Sequence, residues 1–518
     1  MSKRKKLWLG GIALALLLGM AGAYIAASII AKRFEPSMRA QAIQYLQDRF
    51  HAQVQLAALH INRPKMSMIQ ILLRHGRGAI VGVEGEGLAV RFGDDASRPP
   101  LFSISKVFFT VDLGVLFEPK KSVNFVSLDG MEINVPPKGE RTEWKGGSSS
   151  NVIIQNVQIR NAVLVLLPKD SRRPPLRFHI ATLHLQSVGA NSAMHYDADL
   201  TIPKPPGTVK SNGHFGPWNA SEPGDTPLEG DYAFDNADLG IFAAIAGTLS
   251  SKGTFDGSLD SVRARGTTYV PNFQLKMSGN ALPLSTSFEA LVDGTNGNTV
   301  LQPVRATLGH TSFTTTGAVI QHEEYSHRGI SLKVDMPNGD MRDLLRLAMK
   351  GSPFMEGFIN MKSSIDIPPL TGAVKNKLIL DGTFDLHGAK FLKSTIQDQI
   401  DQLSRRGQGQ PKNEEIDEVI SRMQGSFHLE NQVMTFRSLA FEVPGAAVSV
   451  AGTYNLAQDT LDFHGALKLR AKLSETMSGW KRWVLKPIDP FFAKNGAGTF
   501  LKIKIEGDSH HPKFGLDH

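Results

Sequence analysis

The sequence predicts a mainly β protein, and three observations carry that expectation. Its 518 residues include 49 Gly and 28 Pro with only 20% charged side chains, a composition that favours short strands and turns over helices. Across residues 425–469 apolar side chains recur at every second position. Phe427 and Leu429, Met434 and Phe436, and Leu439, Phe441 and Val443 are followed by Val448 and Val450, Tyr454 and Leu456, Leu461 and Phe463, and Leu467 and Leu469. A period of two is the signature of a half-buried strand, and Gly445, Gly452 and Gly465 fall at or near the turns, so the segment reads as a meander with one apolar face. Strand-like alternation also fills 79–92, 101–113, 123–135, 152–167 and 176–185, each bounded by Gly, Pro or Asp.

From the N-terminus, residues 1–6 form a short cationic tail. Residues 7–31 are a nearly continuous apolar run without a charged side chain. As a helix this run is roughly 37 Å long, enough to span a hydrocarbon core of about 30 Å with some tilt. Lys3, Arg4, Lys5 and Lys6 precede it, and Lys32 and Arg33 follow. That asymmetry predicts a single-pass inner-membrane anchor with a cytoplasmic N-terminus and the bulk of the chain in the periplasm. The alternative, a cleaved signal peptide with Ala21-Gly22-Ala23 as its small-residue site, conflicts with the length of the run, since a signal core is roughly 7 to 15 residues. Taking those six cations from the 57 Lys and Arg leaves 51 against 49 Asp and Glu, so the rest of the chain lacks the electrostatic footprint of a nucleic-acid binder. With no cysteine, there is no disulfide framework, thiolate metal site or Cys nucleophile.

Beyond the anchor, 37–50 is expected to be a short amphipathic helix and 54–61 a first strand, opening a helix-and-sheet region over 34–202. Three segments read as loops or linkers, 136–150, 168–175 and 203–227, because Pro, Gly and Asn crowd out apolar periodicity. A central β block follows over 228–337, with a helix-like apolar interruption at 237–249. In 338–424, residues 339–350 predict a helix with Met341, Leu344, Leu345 and Ala348 on one stripe. Two further amphipathic pieces, 395–406 and 414–423, predict a helical hairpin inserted between strands. The last region is 425–518. Peptides such as those starting at Gly253, Gly382, Gly425 and Gly452 recur without a fixed period, so the chain is not a constant-length solenoid.

No catalytic constellation stands out. Asp293 to Asn298 offers oxygen ligands but lacks the acidic density and terminal Glu of a calcium loop, and reads as a hairpin turn. His322, Glu323, Glu324 and His327 have neither helical spacing nor an apolar flank to fix their geometry, and read as a solvated loop. His510, His511 and His518 lie in a polar tail. Trp480, Trp483, Phe491 and Phe492, interleaved with cations, read as the closing layer of a β core or as an interfacial contact. No nucleophile elbow, phosphate loop, dinucleotide fingerprint or zinc-protease motif appears in its proper context.

The run GSFHLENQVMTFRSLAFEVPGAAVSVAGTYNLAQDTLDFHGALKL, followed by KPIDPFF and GAGTFLKIKIEGDSHHPKFGLD, resembles the C-terminal region of the AsmA-like family of envelope proteins. The helix-then-strand start and the PNF, DGTNG and TTTG turns of the central block are similar to the same family, which is related to chorein-type lipid bridges. The resemblance implies a long, curled antiparallel sheet with an apolar inner groove and a few inserted helices. It also implies a non-enzymatic role without cofactor or metal, in phospholipid transport toward the outer membrane and in outer-membrane biogenesis. The alternation supplies candidates for the lipid-contacting side: Phe436, Leu439, Phe441, Val443, Val448, Val450, Leu461, Phe463, Leu467 and Leu469. The partners implied are membrane phospholipids and the inner membrane, with a periplasmic or outer-membrane partner at the C-terminal end. A scaffold for outer-membrane protein assembly, its sheet closed on a dry core, is the alternative. A membrane-tethered glycan-acting enzyme would need carboxylates converging in a cleft.

Overall fold

The computed structural model describes residues 35–50, 52–62, 66, 77–91, 99–112, 121–135, 152–167, 175–189, 192–217, 223–294, 297–322, 325, 327–392, 394–410, 419–472, 498–508 and 511–517. The expected membrane helix at 7–31, its flanking cations Lys3, Arg4, Lys5, Lys6, Lys32 and Arg33, the segment 136–150, and Trp480, Trp483, Phe491 and Phe492 lie outside these residues. Among the described residues no helix is long and apolar enough to cross a membrane. Twenty-five strands make a long, largely unclosed mixed sheet, and the chain divides into two compact units.

The first unit comprises the described residues up to Ile241 with Leu249–Gly266 and Leu291–Asn296. Helix α1 (Glu35–Phe50) is followed by β1 (Gln53–Gln55) and β2 (Ala58–Asn62), which pair with successive halves of β3 (Ile80–Arg91). The sheet continues through β4 (Phe102–Asp112), β5 (Lys121–Val135), β6 (Val152–Leu166), β7 (Leu176–Val188), β8 (Met194–Pro203), β9 (Pro206–Phe215) and β10 (Pro227–Asp238). The pair β5 and β6 is parallel, so the sheet is mixed and not purely antiparallel as the resemblance implied.

Alternation in these strands changes phase part-way along, and the backbone shows why. On either side of the switch the buried apolar side chains are Val81 and Val83, then Leu88 and Val90, in β3, and Val126 and Leu128, then Met131, in β5, where Val123 is buried as well. The switch falls on a transverse line through Gly87, Ser105, Gly130 and Asn161, with φ of 62° at Gly87, 65° at Gly130 and 53° at Asn161. A left-handed residue turns the pleat over, so the next apolar side chain again points inward. At Gly130 a Cβ would stand 2.5 Å from Ser105 Oγ, which excludes any other residue without a shift of Ser105. The face so assembled is closed: Val83, Val126 and Ile154 are 0% exposed, and Leu46 of α1 is also 0% exposed in the same core.

The loop expected over 203–227 is corrected in part: β9 occupies its middle, a turn at Lys204 and Pro205 precedes it, and the rest outside strands lies between Phe215 and Pro227. Its inward positions, Val209, Ser211 and Gly213, are small or polar, so the alternation carries little hydrophobic contrast. The helix-like reading of 237–249 is likewise replaced by a single 3-10 turn, Leu239–Ile241, and by β11 (Ile245–Ala246) and β12 (Thr248–Ser258). Next comes β13 (Ser261–Leu275).

The second unit holds Phe242–Thr248, Thr267–Ala290 and Gly297–His518. Its strands are β14 (Leu282–Val292), β15 (Thr299–Leu308), β16 (Thr311–Gln321), β17 (Arg328–Asp340), β18 (Met355–Ile367), β19 (Ile379–Phe391), β20 (Ser421–Glu430), β21 (Val433–Val443), β22 (Ala446–Asn455), β23 (Thr460–Leu469), β24 (Thr499–Gly507) and β25 (Pro512–Leu516). From β15 onward each pairs antiparallel with the next. Helices α2 (Met341–Ala348), α3 (Val374–Lys377) and α4 (Ser394–Gly407) interrupt the strands. The first and last of these match the expected helices. The second limb of the expected hairpin does not form as read: 421–423 already belong to β20, where Met423 faces Leu386 and Phe441, and 411–418 lie outside the described residues.

Candidate functional site

Strand register brings all ten lipid-side candidates to one face of the second unit. Leu439 and Val450 share a transverse row with Phe384 two strands away. Phe441, Val448 and Leu467 form the next row, continued by Leu386 on one side and Leu501 on the other. Phe436 and Phe463 flank Gly452 with ring centroids 5.8 Å apart, and Leu461 pairs with Tyr454. Val443 and Leu469 lie on either side of Ala446 at the end of the face. The sequence shifts phase between Phe436 and Leu439, and a β-bulge there, with Arg437 and Ser438 opposing Ala451, keeps both residues on the same side.

Among the described residues, only one margin of this face is covered. α4 packs Ile400 and Leu403 onto Val443, Ala446 and Leu469, so those two candidates lie in a small closed core. α2 lays Leu345, with Met341 and Leu344 beside it, over Met336, Ile359 and Leu386 along the same margin. Elsewhere the face is half-buried at Phe427, Met434, Phe436, Leu439, Phe441, Val448, Leu461 and Leu467, with Val450 and Phe463 buried between neighbours. Its rings lie down on the sheet: a Cβ at Gly382 would stand 2.5 Å from Phe427 Cζ, so glycine in the adjoining strand makes room for the ring to lie flat. The sequence reading of the site omitted Leu380, Phe384, Ile503, Ile505, Phe514 and Leu516, which share this face; their signal was the same alternation in GTFDL and FLKIKI.

The opposite face is charged and laced across strands. Arg422 donates two hydrogen bonds to Asp385, at 3.0 Å and 2.7 Å, and these bonds hold the Asp385 carboxyl below its ordinary range. Asp381 accepts from or pairs with His428 Nδ1 at 2.9 Å and Arg437 at 3.7 Å, and Lys362 pairs with Asp335 at 3.7 Å. Two shallow hollows cross β16 to β19, walled by Thr314, Lys333, Asp335, Lys362, Asp381 and Thr383. Their walls mix both charges, so they favour no one class of ion.

Two clusters bring potential metal ligands together. In the first, Asp340 caps α2 by accepting from Arg342 N, and Asp343 accepts from His310 N at 2.7 Å and Thr311 Oγ1 at 3.1 Å. Burial pushes the Asp340 carboxyl up, but its hydrogen bonds from Arg342 outweigh this and lower it. The Asp343 carboxylate thereby fastens α2 to the turn before β16, while the Asp340 carboxylate caps α2 and holds Arg342. In the second cluster Asp462 and Asp517 face the two ring nitrogens of His464, and Glu506 pairs with Lys504 at 2.9 Å. Of the loop readings, Asn298 Oδ1 accepts from Gln321 N, tying the start of β15 to the end of β16, and His322 meets Tyr325 edge-on with centroids 6.4 Å apart. Asp508 Oδ1 accepts from His511 N at 2.8 Å; His510, His518, Glu323 and Glu324 lie outside the described residues.

No family model, curated protein or solved structure matches this chain.

Proposed function

We propose that the chain is an inner-membrane-anchored periplasmic protein that holds lipid acyl chains on the apolar face of its second unit and assists phospholipid transport toward the outer membrane. The observation that carries this reading is the partly exposed apolar face of β19 to β25, over which the described helices reach only one margin, and whose other side is tied by ion pairs. A continuous apolar surface facing water is unfavourable beyond a few hundred square ångströms, and acyl chains are the ligand that matches a face with no buried polar specificity groups. Rings lying flat over glycine leave a low, smooth floor suited to a chain that slides across strands.

Photo-crosslinkers at Val450 and at Ser449, its neighbour on the polar side, test the reading. Lipid adducts at Val450 alone are expected; no lipid at either site would sink it. The topology is tested separately with Ser149→Cys, which gives a single thiol in a cysteine-free chain. It is expected to react with a membrane-impermeant reagent once the outer membrane is permeabilised, and protection until the inner membrane is lysed would reverse the orientation.

The scaffold reading draws support from one observation, the closed core of the first unit around Val83, Val126 and Ile154. A dry core carries no lipid. On the lipid-holding reading the first unit is support and only the second handles ligand, so crosslinkers at Val126 are expected to yield no lipid, whereas on the scaffold reading Val450 yields none either.

A further inference from the structure

The apolar face of the second unit runs out to an open edge. β25 pairs with β24, and among the described residues it has no strand on its other side. Ile503 and Ile505 of β24 stand opposite Leu516 and Phe514, which are 54% and 73% exposed, the latter the most exposed large apolar side chain in this unit. The other side of the same strands carries more cations than carboxylates. Lys502, Lys504 and Lys513 project there, with Lys468 of β23 and Arg470 just past its end, against Asp462 and Asp517, which hold His464, and Glu506, which pairs with Lys504; all of the cations but the partly covered Lys504 are exposed.

We propose that this edge docks onto a bilayer surface containing anionic phospholipid, with Phe514 and Leu516 entering the boundary between headgroups and acyl chains and the lysines meeting phosphates. The proposal rests on the lipid-holding reading, because it makes the edge the place where a chain passes between protein face and bilayer. Adjacent strands lie about 4.8 Å apart, so the long stems of the β24 lysines reach past β25 to the same surface that Phe514 touches. An apolar anchor joined to a cation cluster is the combination that holds proteins at anionic interfaces.

The competing occupant of an open edge is another β-strand. Here the edge strand has five residues, begins at Pro512, which has no N–H to offer, and carries Lys513. Short length, proline and lysine are the features by which edges resist strand addition. They favour the bilayer.

The test uses the full chain held in phosphatidylcholine nanodiscs, so that its apolar N-terminal segment is already embedded, and titrated with vesicles of phosphatidylcholine alone or mixed with phosphatidylglycerol. Wild type is expected to bind the mixed vesicles, less so as salt rises, and to ignore the neutral ones. Lys502→Gln with Lys513→Gln is expected to weaken binding by about twenty-five-fold, since each cation near such a surface contributes about fivefold. Phe514→Ser is expected to weaken binding to the mixed vesicles at every salt concentration, and Lys513→Arg to leave it unchanged. All three positions are at the surface, so the fold is retained. Equal binding to both vesicle types, or a lysine variant that binds as wild type does, overturns the proposal. So does nanodisc-held protein that pairs with itself through β25 while ignoring vesicles, which would assign the edge to strand addition. Crosslinking at Val450 in the same preparation separates the two readings: lipid there without vesicle binding removes only the docking, and vesicle binding without lipid there removes only the carrying role.

Discussion

Val126 and Phe436 occupy the same kind of position, an inward site on an interior strand, yet Val126 is 0% exposed while Phe436 is half-buried. In the first unit, apolar side chains from β1 to β8 close a core that also takes in Ala42 and Leu46 of α1. In the second, α2 and α4 reach only the margin around Leu386 and Ala446. One period-two pattern thus builds both a packed core and an open face, and what separates them is the material laid over the sheet. Alternation tells which side is apolar; it does not tell whether that side is covered.

The largest predicted effect exploits this difference directly. Val126→Lys puts a charge with no partner into a dry core and is expected to cost several kcal/mol, enough to abolish cooperative thermal unfolding followed by circular dichroism. Phe436→Lys places the same charge where water reaches it, so the fold is expected to survive while lipid crosslinking at Val450 falls. Equal loss of structure in the two variants would mean that the second unit is closed as well, and the comparison would break.

The sequence made the strands of 425–469 legible because each turn is marked and each apolar residue contrasts with a polar neighbour. It made α2 and α4 legible through their stripes. The loop assigned to 203–227 failed because β9 uses Ser211 and Gly213 inward, leaving no hydrophobic contrast to read. The second helical limb failed because Ile420 and Met423, three residues apart, fit a helical stripe as well as they fit the entry to β20. The long-range features were beyond reach of any local pattern: the parallel pairing of β5 with β6, and the line of left-handed residues from Gly87 to Asn161. On the site, the face itself was readable, but the cover over Val443 and Leu469 depends on where α4 folds back.

The cover that α2 lays over Met336, Ile359 and Leu386 can be loosened. Asp343 is 2% exposed and fixes α2 by accepting from His310 N and Thr311 Oγ1. Asp343→Ala leaves both donors without that acceptor, at a cost of about 1 to 3 kcal/mol for each buried group. Hydrogen exchange is expected to accelerate in α2 and in the strand margin beneath it, with β4 and β5 of the first unit unchanged. If α2 keeps its protection, its hold on the sheet comes from Leu345 and its neighbours alone.

A smaller effect is expected from Gly382→Ala. The new Cβ would meet the Phe427 ring at 2.5 Å, and the ring must stand up from the sheet. Overpacking of this kind costs about 1 to 3 kcal/mol in a closed core. On a half-open face the ring has room to move, so the cost is expected at the low end, with a larger change in lipid crosslinking than in melting temperature. A loss of stability as great as in a closed core would argue that something covers the face at Phe427.

The smallest effect concerns the open edge. His464 is held between Asp517 at 3.0 Å and Asp462 at 3.1 Å, and the Asp517 N–H also donates to Lys502 O, so the end of β25 is clasped to β23 and β24. The hydrogen bond to Asp517 is the main cause that raises the His464 pKa above its ordinary 6.5, and its counterpart lowers Asp517 below 3.8. A raised imidazole stabilises the folded clasp below 6.5 and loses that contribution as pH climbs through the folded value. A lowered carboxyl stabilises it above 3.8 and loses that contribution as pH drops through its own folded value. The clasp is therefore complete between those two ordinary values. All three groups are solvent-exposed, so the consequence is local: amide exchange in β25, corrected for intrinsic rate, is expected to be faster at about pH 8 than at about pH 5.5, with global melting unchanged. His464→Gln should flatten that dependence. A pH-independent β25 in wild type would show that Phe514 and its strand are held by the β24 ladder alone.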